Sequence, residues 1–345
     1  MSTSRQVNKK PTISDVAKLA GVGKTSVSRY LNNEFDALSE RIKQRIADAI
    51  KVLGYRPNQM ARSLKKGGSK LIAYVIPDIT NPYSIEVMQG LEKACQDNGY
   101  TLLVCNTNKD SQKEKYYLQL LVSYNVEGVI FHSIKLDVTS LKDFPFPIVL
   151  VDRKVDHFSA DLVGLDNVQS TTLATNYLVE SGFDAILFIT QPIDNISTRF
   201  ERVNTFKRII SAHSVMIGEV LELADQQGSG QYEGKLEQAI SAFCQLHRGK
   251  RKAIISMNGS VTLSISLVLK RLNLISGKDI GFIGFDDPQW ASVIGDGLTS
   301  IRQPTYQIGY CAFELLLKRI HGCQDAPREL LYPGELIIRH STLLP

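Results

Sequence analysis

The sequence predicts an all-α head of three short helices, followed by a large α/β body of two lobes with parallel sheets. Three observations predict this. Residues 1–70 carry helical periodicity and hold 15 Lys/Arg against 5 Asp/Glu, whereas the remaining 275 hold 25 against 30. Gly67-Gly68-Ser69 reads as a flexible joint at the change of pattern. Beyond Lys70, short β-rich runs alternate with longer amphipathic stretches, the pattern of βαβ units. A body of 275 residues is long for one sheet, so two lobes are expected.

The elements follow in order. Residues 1–10 are polar and basic. Thr12 can cap a helix, and Asp15 three residues on completes a capping-box pattern. Ile13, Val16, Ala17 and Ala20 fall on one face of that helix, and Gly21 ends it. A second helix is expected from Gly23 to Leu31, with Val27, Tyr30 and Leu31 inward. Ser39 caps a third, with Ile42, Ile46, Ala49, Ile50 and Leu53 as its apolar stripe and Gly54 as its stop. Pro57 restricts Arg56, and Asn58 can cap a further short piece from Gln59 to Lys65.

In the body the β-rich runs are Leu71–Ile76, Thr101–Cys105, Gly128–His132, Ile148–Val151, Ala185–Thr190, Ala253–Ser256 and Ile280–Phe285. Amphipathic segments such as Tyr83–Asn98, Thr171–Ser181 and Val261–Leu272 lie between them. Ligands in such folds sit at the carboxyl ends of strands, so residues just after these runs are the candidates for a site.

Several function classes are disfavoured. No run of apolar residues is long enough to span a membrane, and residues 1–30 lack the apolar core of a secretory signal. Cys95, Cys105, Cys244, Cys311 and Cys323 are odd in number and never spaced as CxxC, which argues for reduced thiols and against a zinc site. The six histidines show no metal spacing, and no dinucleotide or nucleophile-elbow motif is present. Gly23-Lys24-Thr25 resembles the end of a phosphate-binding loop, but Lys18 stands where that motif needs glycine. No cofactor and no metal are expected. An α/β sugar-metabolising enzyme with an accessory basic domain is the alternative, and the missing motifs count against it.

The head has the spacing of a helix-turn-helix. Ala17 provides the small crossing residue, Gly21 the turn tolerant of positive φ, and Val27 the branched anchor of the second helix. That turn would present Lys24, Thr25, Ser26, Ser28 and Arg29 to base edges in the major groove. Arginine can bind guanine through two hydrogen bonds, and hydroxyls reach bases or phosphates.

At these residues a resemblance emerges. "TISDVAKLAGVGKTSVSRYLN" at Thr12–Asn32 and "YRPNQMARSLKKG" at Tyr55–Gly67 resemble the lactose/galactose repressor family of bacterial transcriptional regulators. The resemblance continues through "IPDITNPY" at Ile76–Tyr83, "VDR" at Val151–Arg153, "GFDD" at Gly284–Asp287, "LTSIRQP" at Leu298–Pro304 and "RHST" at Arg339–Thr342. It implies a body like the periplasmic sugar-binding proteins, with three crossovers between its lobes. It implies a head over 1–57, a hinge helix and linker over 58–69, and an effector and dimerisation domain over 70–345. Lobe 1 is expected over about 70–166 plus 303–328, and lobe 2 over about 167–302 plus 329–345.

The same resemblance implies a cytoplasmic, nucleoid-associated homodimer that binds double-stranded operator DNA as a repressor of carbohydrate-utilisation genes, with no membrane partner. Two hinge helices would enter the minor groove, with Leu64 as an apolar wedge and Asn58, Arg62 and Lys65 beside it. Asn32 completes the set facing DNA. Gly23 departs from the family's usual phosphate-contacting serine. A small sugar or sugar acid would bind between the lobes at Tyr83, Asp152, Arg153, Arg199, Arg202, Asn258 and Asp286. The arginines lean the choice toward a sugar acid, since a guanidinium matches a carboxylate.

Overall fold

The computed structural model describes residues 11–56, 68–132, 141, 144–193, 196–224 and 230–343. The chain divides into two compact units, 1–69 and 70–345. In the first, α1 (Ile13–Ala20), α2 (Lys24–Leu31) and α3 (Glu40–Leu53) enclose a core of Val16, Ala17, Ala20, Val27, Ile46 and Ala49. Thr12 and Asp15 form the reciprocal capping box that the spacing predicts. Gly21 closes α1 with φ +59°, and its carbonyl accepts from Arg45 of α3 at 3.2 Å. Ser39 occupies the N-cap of α3, but its side chain makes no capping hydrogen bond. The expected hinge segment from Asn58 to Lys65 lies outside the described residues.

The second unit holds two six-stranded sheets. Sheet 1 contains β1 (Leu71–Ile76), β2 (Thr101–Asn106), β3 (Gly128–Phe131), β4 (Ile148–Val151), β5 (Asp161–Leu165) and β11 (Glu329–Tyr332). Its order is β2-β1-β3-β4-β5-β11, parallel throughout. Sheet 2 contains β6 (Ala185–Thr190), β7 (Ile217–Glu222), β8 (Lys252–Ser256), β9 (Gly281–Phe285), β10 (Thr299–Arg302) and β12 (Glu335–Ile337). It repeats the order as β7-β6-β8-β9-β10-β12, with only β12 antiparallel to its neighbour.

Helices cover both sheets, as parallel strands require. On sheet 1, α4 (Pro82–Asp97) and α10 (Thr305–Ile320) bury Val87, Leu91, Ile308 and Phe313 on one face, and α5 (Ser111–Ser123) buries Leu118 and Leu121 on the other. On sheet 2, α6 (Asn167–Glu180), α7 (Ser197–Ser211), α8 (Gly230–Leu246) and α9 (Gly259–Arg271) share one core around Phe188, Phe206, Ile254 and Phe282. The backbones of α4 and α10 approach so closely that a Cβ at Gly90 would lie 1.9 Å from the Tyr306 carbonyl oxygen. One at Gly309 would lie 2.0 Å from that of Val87. Only glycine fits these two positions.

The chain crosses between lobes three times, at Asp166, at Gln303–Pro304 and at Pro333–Gly334. The third crossing corrects the expected boundary after residue 328. Glu329–Tyr332 pairs in register with Leu162–Leu165 of β5, so lobe 1 extends to Tyr332. The four-residue strand is too short, and too exposed at alternate positions, to announce itself in the sequence.

Candidate functional site

In the head, α2 displays the residues expected to face DNA. Lys24, Thr25 and Arg29 are exposed, Ser26, Ser28 and Asn32 are half-buried, and Val27 between them is fully buried. The buried valine fixes the roll of the helix, so the polar residues share the outward arc. Gly23 begins the helix without a side-chain cap, and the space a side chain would occupy there is open. The first backbone N–H groups of α2 therefore meet solvent unhindered, the setting in which a helix terminus receives a phosphate.

In the body, the cleft between the lobes holds two adjoining cavities. The inner one, about 60 Å³, is lined by all seven residues expected at the effector site: Tyr83, Asp152, Arg153, Arg199, Arg202, Asn258 and Asp286. The outer one, about 550 Å³, shares Arg153, Arg199, Asn258 and His132 with it and opens past Asp78, Lys109, Leu263 and Trp290. Trp290 also packs against the core of sheet 2.

Two aspartates face each other from equivalent places. Asp152 follows β4 and Asp286 follows β9, and both adopt left-handed backbone, with φ 73° and 69°. Aspartate tolerates this region better than most side chains, and the turn aims its carboxylate into the cleft. The surroundings differ. Asp152 Oδ2 accepts from Arg153 Nε at 3.0 Å and lies 3.3 Å from His132 Nε2. Burial alone would raise its pKa, but the Arg153 charge and the His132 contact hold it well below the usual carboxylate range. Asp286 instead accepts from the Gly259 N–H at 2.8 Å and from the Gln303 amide. Burial dominates there and raises its pKa, opposed by the charge of Arg202 and by those two hydrogen bonds.

The arginines also differ. Arg202, on α7, donates to Asn167 Oδ1 at 2.7 Å and to the Met257 carbonyl at 2.6 Å, and it lies 4.1 Å over the Phe285 ring. Arg199, one turn earlier, donates to the Pro192 carbonyl and to Gln191 Oε1. The same Gln191 oxygen accepts from Asn258 at 2.9 Å, and Asn258 caps α9 by accepting from Val261 N–H at 3.0 Å. These contacts hold the strand-end loops of lobe 2 in place. Arg153, on lobe 1, commits Nε and Nη2 to Asp152 and His132 but leaves Nη1 buried without a partner among the described residues.

Sequence reasoning missed His132, Gln191, Gln303 and Asn81, all of which line the cavities. Gln191 directly follows β6 and His132 directly follows β3, so the strand-end rule could have flagged both. Gln303 directly follows β10, on the second crossover, but the four-residue strand was not among the β-rich runs, so the rule had no strand end to point from. Four buried polar atoms lining the inner cavity have no hydrogen-bond partner among the described residues: Tyr83 Oη, His132 Nδ1, Arg153 Nη1 and Gln303 Oε1. Buried polar atoms are rarely left so, and such a cluster around a cavity is the signature of a polar ligand site.

Known proteins resemble the chain along almost its full length. Residues 69–340 match the family of periplasmic binding proteins and sugar binding domain of the LacI family, and residues 12–58 match the bacterial regulatory proteins of the lacI family. The chain is 41% identical over 333 residues to the HTH-type transcriptional regulator PtxS of Pseudomonas putida, covering 96% of each. It is 36% identical over 333 residues to the HTH-type transcriptional regulator KdgR of Bacillus subtilis, covering 96% of this chain and 97% of that one. In structure it matches the lac repressor dimer bound to operator and the anti-inducer ONPF with a TM-score of 0.81 at 22% identity, over 97% of this chain and all of that one. At that identity the likeness speaks for the fold.

Proposed function

The chain belongs to the LacI family of bacterial regulatory proteins, and from that premise we propose that it is a repressor of carbohydrate-utilisation genes switched by a sugar acid bound between its lobes. The regulator works as a homodimer in the cytoplasm, on the nucleoid. Lys24, Thr25, Ser26, Ser28, Arg29 and Asn32 read an operator half-site, and Asn58, Arg62, Leu64 and Lys65 form the hinge that wedges into its centre. Effector contacts come from Tyr83, Asp152, Arg153, Arg199, Arg202, Asn258 and Asp286. A ligand that prefers one arrangement of the lobes shifts the population toward it, and the hinge helices of the dimer follow.

One observation carries the ligand-switched part of this reading, the four partnerless polar atoms around the inner cavity. Three guanidinium groups against two carboxylates leave the site with an excess positive charge, which favours an acid over a neutral sugar.

The test is binding of the purified protein to palindromic operator-like DNA at fixed salt, with and without six-carbon aldonates, uronates and neutral hexoses. Leu64→Ala is run alongside, and salt is held constant because phosphate contacts make affinity depend on it. Specific binding that Leu64→Ala weakens and an acid modulates is the expected result. Binding without sequence preference, unmoved by any compound, would overturn the proposal and favour the enzyme alternative.

A further inference from the structure

We propose that Arg153 and His132 of lobe 1 form the subsite for the acidic group of the effector, while its hydroxyl-bearing end turns inward to Asp286, Gln303 and Tyr83. The inference rests on the sugar-acid reading above and adds an orientation to it.

The three arginines differ in what already holds their nitrogens. Arg202 is 4% exposed and spends its Nε and Nη1 on Asn167 and Met257, with its plane on Phe285. Arg199 is 8% exposed and spends both terminal nitrogens on the loop after β6. These two position the walls of the site. Arg153 is the guanidinium among them with a buried nitrogen that has no acceptor among the described residues.

His132 supplies the second donor. It is 1% exposed and stands edge-on to Tyr83, with ring centres 5.6 Å apart. Its Nε2 lies 3.2 Å from Arg153 Nη2 and 3.3 Å from Asp152 Oδ2. A guanidinium has no lone pair, so the Arg153 contact needs Nε2 as acceptor, which puts the proton on Nδ1. If both nitrogens are protonated, Nε2 donates to Asp152 and Nδ1 still carries a proton. In both of these states an anion arriving at Nδ1 meets a donor, and its binding selects them over the neutral tautomer that keeps its proton on Nε2 for Asp152. Nδ1 is buried and without a partner among the described residues, as is Arg153 Nη1. Asp152 behind them is the counter-charge that holds the pair in place.

Position in the cleft sets the orientation. Arg153 and His132, with Arg199, Asn258 and Asn81, line both cavities and so stand at the neck between them, whereas Tyr83, Asp286, Gln303 and Arg202 line the inner cavity and not the outer one. The inner end offers the Gln303 Oε1 acceptor, the Tyr83 hydroxyl and the Asp286 carboxyl, beside an Arg202 whose Nε and Nη1 are already spent on Asn167 and Met257, a set that grips hydroxyls.

The test is titration calorimetry of the full-length protein with D-gluconate, D-glucuronate and D-glucose. The wild type should bind an acid at least tenfold more tightly than glucose. Arg153→Gln should cut affinity for the acid by about 10- to 100-fold, the range for a charge-assisted hydrogen bond, and leave the glucose value in place. Because that variant strips Asp152 of its cation, Arg153→Lys and His132→Leu are measured with it. Lysine should restore part of the preference for the acid, and leucine should lose about tenfold on the acid alone. If the preference survives Arg153→Gln and His132→Leu but disappears in Arg199→Gln or Arg202→Gln, the acidic group sits on lobe 2. The subsite assignment is then wrong and the sugar-acid reading stands. If glucose binds as well as the acids, or neither acid binds at millimolar concentration, the sugar-acid reading itself fails and the subsite with it.

Discussion

Lobe 1 and lobe 2 repeat one strand order, end their fourth strands in a left-handed aspartate, and give those two aspartates opposite electrostatics. Asp152 is backed by Arg153 and His132 and stays ionised, whereas Asp286 is cradled by a backbone N–H and an amide and is pushed toward its neutral form. The fold supplies the positions and the neighbours decide the chemistry. A duplicated scaffold can in this way present a ligand with two unlike walls, one where the aspartate is matched by its own arginine and histidine and one where it is held by neutral N–H groups.

Exchanging the aspartates one at a time should change the protein most. Asp152→Asn leaves the half-buried Arg153 guanidinium without its counter-charge and should destabilise the protein by about 3 kcal/mol. Asp286→Asn keeps the acceptor for Gly259 and removes a carboxylate that burial disfavours, so its cost should be about 1 kcal/mol or less. Urea unfolding of both variants measures this, and equal losses would erase the distinction between the lobes.

The pH dependence should carry opposite signs. Asp152 has a depressed folded pKa, so its contribution is full above the unfolded value of about 4 and fades as pH falls through the folded value. Asp286 has a raised folded pKa, so its contribution is present below about pH 4 and fades as pH rises through the folded value. The stability gap between wild type and Asp152→Asn should therefore shrink on acidification. The corresponding difference for Asp286→Asn should move in favour of the wild type. Matching slopes in the two variants, read from urea midpoints across the acid range, would contradict the assignment.

A weaker effect is expected at the contact that joins the two walls. The Lys154 N–H, just beyond β4, donates to Ser197 Oγ at the start of α7, at 3.1 Å. Ser197→Ala removes one solvent-exposed hydrogen bond between the lobes. It should weaken effector binding by about two- to fivefold with little change in stability. An unchanged affinity would mean that the effector alone holds the lobes together.

Much of this molecule is legible in its amino-acid order. In the head, Thr12, Asp15, Gly21 and Gly54 act through neighbours within a few residues, so their roles can be read locally. In the body, continuous apolar runs such as Ile148–Val151 and Ala185–Thr190 mark buried parallel strands whose ends can be located closely. Short or edge strands are not legible in this way. β5 begins with aspartate and contains glycine, β7 is a half-buried edge, and β11 gains its place only by pairing with β5. The helix α7 is hidden because it buries Arg199 and Arg202, which break the apolar stripe that announces a helix.

Composition and short-range spacing were enough to establish the basic head, the joint before Lys70 and the alternating body, while the residues expected in the cleft came from the family resemblance. Local backbone geometry translates such spacing directly into faces and turns. Three features emerge only from the folded chain: which arginine keeps an open donor, which aspartate stays charged, and where the chain last crosses between lobes. Each of those depends on partners far away in the chain, such as Arg202 with Met257 or Asp286 with Gln303. Hydrogen bonding and desolvation act through space, and no spacing rule along the chain encodes them.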